Sequence, residues 1–327
     1  MNLGVIGGGG YWGRKILEEL AFLENVTVKS CLSHNRYENL TNVIASVFPN
    51  GNRPSMMVDV EDFLDACDVD GVIVASPAET HFALSFEALK RGKHVFVEKP
   101  LCLNSTDAEK LLSFAKSQNK ILFVDNTYLY SDCVSYMKRM VENGSIGRPL
   151  FLHSIRTQMG IYRKHSVLWD LAPHDLSIIR FIFPDEDVKR INLTQNAYFQ
   201  NNTCTVSDSA CYSISFRSGF QASAEIAWCN PKWSRDVVIV GENGMLLFEN
   251  NTTVKYFSRD PSYQGVPDRH HWQLIDTYEP NDNPLRNGLE LFCQYSSNPD
   301  NNIPRYMRPE FSLDIISTIE ELERTQM

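Results

Sequence analysis

The chain has 327 residues, 43% hydrophobic and 22% charged, the balance of a globular protein long enough for two domains. Asp and Glu number 40 against 31 Lys and Arg, a formal net charge of −9, so no overall positive field draws in nucleic acid or an anionic membrane. The same composition excludes intrinsic disorder, collagen-like repeats and a disulfide-stapled miniprotein.

No apolar run approaches the roughly 18 residues that a membrane-crossing helix needs. Met1-Asn2-Leu3-Gly4-Val5-Ile6 lacks the basic region and long apolar stretch of a signal peptide. The eight cysteines contain no C-x-x-C pair, which reads as scattered buried thiols in a reducing cytoplasm rather than zinc ligands or disulfides. Sequons such as Asn39-Leu40-Thr41 are then chance matches.

The first third alternates strand and helix. Leu3–Ile6 is an apolar strand, and helical spacing follows over Arg14–Leu23 through Ile16, Leu17, Leu20 and Leu23. Val26–Cys31 is strand-like, and Arg36–Val47 returns to the helical period. Gly71–Ala75 is a buried-strand run, and Thr80–Arg91 is a helix closed by Gly92. His94–Val97 is a strand, Thr106-Asp107-Ala108-Glu109 has the pattern of a capping box, and Ile121–Val124 closes the series. Such alternation predicts a parallel, doubly wound α/β sheet over residues 1–125.

Residues 126–327 read differently. Helices are expected at Ser131–Glu142 and Trp169–Phe183, with strands at Phe151–Gln158, Arg190–Tyr198, Ser209–Phe216, Phe220–Trp228, Arg235–Val240 and Met245–Glu249. Ala210, Tyr212, Ile214 and Phe216 alternate with small residues, as in a sheet with unlike faces. Ser258–Asn287 is polar, proline-rich and loop-like, and closing helices are expected at Leu289–Gln294 and Glu310–Glu323. The prediction is an α+β domain with an open, mainly antiparallel sheet, serving substrate binding and oligomerisation. Its apolar strands from Ser209 to Trp228 point to a homodimer or homotetramer through the open face.

Gly8-x-Gly10-x-x-Gly13 lies directly between a strand and a helix, the context of a dinucleotide-binding Rossmann fingerprint. Gly8 is expected to permit the tight turn, Gly10 to admit the pyrophosphate, and Gly13 to allow helix–strand packing. Tyr11 and Trp12 lie within this loop, and a helix beginning near Arg14 offers free N–H groups to phosphate. An acidic residue normally follows about 20 residues on, at the adenosine ribose. Cys31-Leu32-Ser33-His34-Asn35-Arg36 holds none, so Ser33, His34 and Arg36 favour NADP over NAD. Ser76-Pro77-Ala78-Glu79-Thr80-His81 and Glu98-Lys99-Pro100 follow strand ends, where ligands bind in such sheets. Ser76, Pro77, His81, Glu98, Lys99 and Asn126 are therefore further cofactor-side candidates.

The glycine loop, the Gly92-Lys93-His94-Val95-Phe96-Val97-Glu98-Lys99-Pro100-Leu101 block and Trp169-Asp170-Leu171-Ala172-Pro173-His174-Asp175 together resemble the Gfo/Idh/MocA oxidoreductase family, over essentially the whole chain. Asp125-Asn126-Thr127-Tyr128 looks like the family's entry to the second domain, although Asp125-Asn126 departs from the common Gly-His. Ala227-Trp228-Cys229-Asn230-Pro231-Lys232 resembles a strand-end segment of members from polysaccharide gene clusters.

The resemblance implies hydride transfer between nicotinamide and a sugar or polyol carbon, with Lys99, Asp170 and His174 as the catalytic residues. The residue chemistry agrees. Residues at i and i+4 share one helix face, so Asp170 and His174 can address one substrate. Pro173 is compatible with a position in the first helical turn. Histidine suits transfer of the hydroxyl proton, and a lysine can stabilise a developing alkoxide. Tyr128, Arg156, Tyr162, Arg163, Lys164 and Arg235 are candidates for lining the substrate site, with arginine suited to a diphosphate. His153, His165, His270 and His271 lack metal-ligand spacing, so no metal is expected. The favoured substrate is a nucleotide-linked sugar in glycan biosynthesis. Alternatives are a free inositol or aldose, and a non-catalytic dinucleotide-sensing regulator on the same fold.

Overall fold

The computed structural model describes residues 1–326 except 35, 50, 52, 67, 161–162, 200–205, 261, 264, 267 and 299–301. The chain divides into two units, Met1–Thr127 with Asn283–Ser317, and Tyr128–Asp282 with Thr318–Met327.

The first unit alternates β1 (Asn2–Ile6), α1 (Tyr11–Leu20), β2 (Thr27–Leu32), α2 (Tyr37–Val47), β3 (Ser55–Met57), α3 (Val60–Asp65), β4 (Gly71–Val74), α4 (His81–Lys90), β5 (His94–Glu98), α5 (Ser105–Ser117) and β6 (Leu122–Asp125). The strands pair in the order β3-β2-β1-β4-β5-β6, all in parallel. The order reverses between β1 and β4, which places a ligand crevice outside the carboxyl ends of those strands. Val5, Ile73, Val95, Phe96 and Val97 have no exposed surface, because helices cover both faces of the sheet.

Two helix starts differ from the sequence reading. Helix α1 begins at Tyr11, not near Arg14, because Gly10 in extended conformation is its N-cap. Helix α5 is capped by Asn104, whose Oδ1 accepts the Asp107 N–H at 2.8 Å, so Thr106 lies inside the first turn and does not form the expected box.

The second unit contains α6 (Asp132–Glu142), β7 (Pro149–Met159), α7 (Val167–Ile182), β8 (Val188–Asn196), β9 (Ser209–Phe216), β10 (Gln221–Ala227), β11 (Cys229–Gly241), β12 (Gly244–Glu249), β13 (Thr253–Arg259) and β14 (Trp272–Tyr278). Its sheet runs β14-β13-β12-β11-β7-β10-β9-β8, antiparallel except for the β7–β10 pair. Ala210, Tyr212, Ile214 and Phe216 are buried, as the alternation predicted. On β9 and β10 the opposite face is polar, with Cys211, Ser213, Ser223 and Glu225, so the apolar residues between Ser209 and Trp228 face inward rather than forming the open surface. Apolar residues on the open face are instead Phe151, Ile155, Val238, Val240, Met245 and Leu247, on β7, β11 and β12.

The Ser258–Asn287 stretch is not all loop. Strand β14 lies within it at the sheet edge, and α8 (Pro284–Ser297) begins before its end. Helix α8 packs in the first unit, where Phe292 meets Phe96 and Phe123 and Arg286 pairs with Glu19 at 2.8 Å. The last helix, α9, spans Pro309–Arg324.

Candidate active site

The glycine loop in the first unit is built for close backbone approach. Gly7 has φ +87, so the left-handed turn falls there and not at Gly8. A Cβ on Gly13 would drive into the Gly7 carbonyl, so only glycine lets α1 start against this loop. No side chain caps α1 and no acidic residue occupies its first turn. The leading N–H groups of such a helix lack intrahelical partners and suit a phosphate. Tyr11 and Trp12 are exposed on that turn with their rings edge to face at 5.4 Å.

After β2, Ser33 is buried beside the loop, while His34 and Arg36 are exposed. The first unit thus offers a glycine cradle, an uncapped helix N-terminus, and exposed His34 and Arg36 with no carboxylate among residues 31–36 at the β2 end. This arrangement fits a nicotinamide dinucleotide.

At the end of β4, Thr80 Oγ1 donates to the Pro77 carbonyl at 2.7 Å, so the Ser76 hydroxyl, 2.6 Å away, donates to Thr80. His81 is buried, with Nδ1 2.7 Å from the Pro100 carbonyl and Nε2 2.9 Å from the Ser76 carbonyl. Burial lowers its pKa, and the two carbonyls act in the opposite direction. His81 therefore ties the segment after β4 to the segment after β5. Lys99 is half-buried just beyond β5, and Asn126 is buried with its Nδ2 donating to Ser312 at 2.9 Å.

The second unit brings together residues far apart in the chain. Between Val167 and Ile179, every residue of α7 is buried except Asp170 and His174. Helix α7 begins at Val167, so Pro173 lies in its interior, not in the first turn, and the Trp169 carbonyl loses its usual i+4 donor. Trp228 Nε1 donates to Asp170 Oδ2 at 3.0 Å. The Tyr128 ring meets the His174 ring edge to face at 5.2 Å. Arg156 Nη1 donates to the Tyr128 hydroxyl at 2.6 Å, and that hydroxyl donates to Asn251 Oδ1 at 2.8 Å.

Arg156 is 1% exposed and its Nη2 pairs with the buried Asp175 Oδ1 at 2.8 Å, to which Ser154 also donates. Burial opposes the Arg156 charge, but Asp175 and Tyr128 more than offset it and raise its pKa. Arg235 is also buried. It donates to the Thr157 and Ser234 carbonyls and to Gln158 Oε1, and burial lowers its pKa. Arg163 and Lys164 are exposed before α7, and Tyr162 lies outside the described residues.

Sequence reasoning missed Asp175 as the partner of Arg156, and Asn251. Trp228 was visible only within a segment of family resemblance. Among the described residues no group of three or more His, Cys, Asp or Glu side chains is arranged to hold a metal ion. Among them, too, no helix is long and apolar enough to cross a membrane.

Comparison with known proteins agrees with these features. An oxidoreductase family with an NAD-binding Rossmann fold, GFO/IDH/MocA, matches residues 1–126, and its C-terminal domain matches residues 134–247. An inositol 2-dehydrogenase of Klebsiella pneumoniae (strain 342) is 24% identical over 261 residues, covering 78% of this chain and 76% of the relative. A UDP-N-acetylglucosamine 3-dehydrogenase from Acidithiobacillus ferrooxidans shares the fold at TM-score 0.81 and 19% identity, covering 99% of this chain and 97% of its own. A 3-ketoreductase from Actinomadura kijaniata, solved with TDP-benzene and NADP, does so at TM-score 0.83 and 18% identity, covering 99% and 96%. With both of its domains matched, the chain belongs to the GFO/IDH/MocA oxidoreductase family and uses a nicotinamide dinucleotide.

Proposed function

We propose that this oxidoreductase transfers a hydride between the nicotinamide and a ring hydroxyl or ketone of a sugar, with a nucleotide-linked sugar in glycan biosynthesis as substrate. The observation that carries the reading is the partly exposed Asp170–His174 stripe on an otherwise buried helix. Polar residues left open on a core helix lose apolar burial, and an acid–base pair there is suited to a substrate hydroxyl.

The glycine loop, with Gly8, Gly10, Tyr11, Trp12 and Gly13, would hold the pyrophosphate. Ser33, His34 and Arg36 would hold a ribose 2′-phosphate, which favours NADP. Ser76, Pro77, His81, Glu98, Lys99 and Asn126 would shape the nicotinamide end. The bound nicotinamide supplies or accepts the hydride. His174 takes the hydroxyl proton in oxidation and returns it in reduction. Asp170, fixed by Trp228, orients His174 or binds the neighbouring hydroxyl. The Lys99 ammonium stabilises negative charge on the reacting oxygen.

In this reading Tyr128 holds the His174 ring, and Arg156 and Arg235 position the surrounding backbone and Tyr128. Exposed Arg163 and Lys164 are the cations suited to a substrate diphosphate, with Tyr162 beside them in sequence. The fold shared with a nucleotide-sugar dehydrogenase and a 3-ketoreductase supports a nucleotide-linked substrate, whereas the inositol 2-dehydrogenase relatives support inositol or an aldose as the second reading.

The apolar residues on the open sheet face favour a homodimer or homotetramer through β7, β11 and β12. Six described cysteines are free thiols, which supports a reducing, cytoplasmic setting.

The test is a panel of UDP- and TDP-sugars, inositol and aldoses with NADP and NAD, followed at the reduced-nicotinamide absorbance. Turnover of a nucleotide sugar supports the reading. Turnover of inositol alone moves it to the second. Cofactor binding without turnover of any compound favours a dinucleotide sensor.

A further inference from the structure

Glu98 and Asp125 are register partners at the carboxyl ends of the parallel strands β5 and β6. Paired residues of adjacent strands project to the same face of a sheet. Glu98 is 6% exposed and Asp125 has no exposed surface. Each leaves one buried carboxyl oxygen without a hydrogen-bond partner, Glu98 Oε1 and Asp125 Oδ2. Two neighbouring buried carboxylates repel each other and lack water to screen them, so the arrangement favours one bound proton.

We propose that Glu98 and Asp125 act as one proton-sharing pair, and that they are positioning residues that tune the charge at Lys99. Lys99 is the charged group acting on both carboxyls, and its backbone N–H donates to Glu98. The Thr127 hydroxyl donates to Asp125 at 3.0 Å and, like Lys99, favours its ionised form. Burial and the Asp125 charge push Glu98 well up, and burial pushes Asp125 up to about 7.

Below neutrality both carboxyls are protonated, and Asp125 is the first of the two to ionise, because its charge is what pushes Glu98 further up. Loss of the Asp125 proton as pH rises through neutrality leaves the pair, with Glu98 still protonated, carrying a single negative charge against the Lys99 ammonium. That charge holds the ammonium in place and offsets part of its field at a reacting oxygen. The role rests on the proposed reading of Lys99 at the reacting oxygen.

The direct test is carboxyl ¹³C NMR titration of the cofactor-free full-length protein labelled at Asp and Glu, with Asp125→Asn and Glu98→Gln used for assignment. A carboxyl with a midpoint near neutrality in wild type, absent in Asp125→Asn, is the expected result. Titration of both groups in the ordinary carboxylate range would overturn the pair. The second readout is the pH profile of turnover. Wild type should show an inflection near neutrality that Asp125→Asn abolishes. A uniform loss of turnover at every pH would indicate packing alone and overturn the tuning role. Lys99→Ala separates the two readings, because full turnover in that variant would sink the role of Lys99 while leaving the NMR result standing.

Discussion

The Tyr128 hydroxyl accepts a 2.6 Å hydrogen bond from Arg156, while its ring stands edge to face against His174 at 5.2 Å. One side chain thus joins a buried ion pair to the proposed proton-transfer group. Tyr128→Phe keeps the ring and removes the hydroxyl, leaving Arg156 and Asn251 each short of a partner. Stability should fall by about 1–3 kcal/mol while turnover stays within about threefold of wild type. Tyr128→Leu also removes the ring and should cost about tenfold or more in turnover, a barrier change of about 1.4 kcal/mol. Thermal melts and steady-state rates on both variants check this, and equal rates in the two would deny the ring its role.

Arg156→Met removes the cation facing Asp175, whose Oδ2 is already buried without a partner. An uncompensated buried carboxylate costs about 3–5 kcal/mol. Urea unfolding of wild type and variant measures it. A change below about 1 kcal/mol would mean that Arg156 is not structural and would return it to the substrate-binding candidates.

Trp228→Phe deletes the indole N–H that holds Asp170. Turnover should fall about tenfold, consistent with loss of a hydrogen bond to a charged group worth about 1.5–3 kcal/mol. The effect should be non-additive with Asp170→Asn if both act on one orientation. Full additivity in this double-mutant cycle would separate Trp228 from the function of Asp170.

Stability should depend on pH through Asp125. Its folded pKa of about 7 lies above the ordinary aspartate value, so the folded state holds a proton that the unfolded chain releases. The contribution is fully present below about pH 4 and is lost as pH rises to about 7. Asn mimics the protonated side chain, so wild type and Asp125→Asn should melt alike in acid. Above neutrality the wild type should melt lower. Parallel melting curves across this range would contradict the raised value.

The first unit was legible because its strands are continuous apolar runs and its helices repeat Ile and Leu at helical spacing, as at Ile16, Leu17 and Leu20. Strand β14 was not, because its residues Gln273 to Thr277 are exposed at a sheet edge and carry no inward–outward alternation. The α7 start was hidden because Ser166 and Val167 give no stronger signal than Trp169, and the interior Pro173 argued for a later start. At the site, the Asp170–His174 spacing is local and could be read directly. The Arg156–Asp175 pair and the Tyr128–Asn251 bond join residues 19 and 123 positions apart, and only the fold brings them together. The return of α8 to the first unit likewise depends on Phe292 finding Phe96 and Phe123 rather than on any local pattern.

The most direct measurement follows the hydride itself. The enzyme is incubated with reduced cofactor deuterated at the transferable position of the nicotinamide and with a 3-keto nucleotide sugar, and the product is examined by mass spectrometry and NMR. The account predicts one deuterium on the sugar ring carbon that bears the new hydroxyl, and about 10²–10⁴-fold slower incorporation in a folded His174→Ala variant. Cofactor binding with no deuterium in that sugar or in any other sugar or polyol ketone would contradict it.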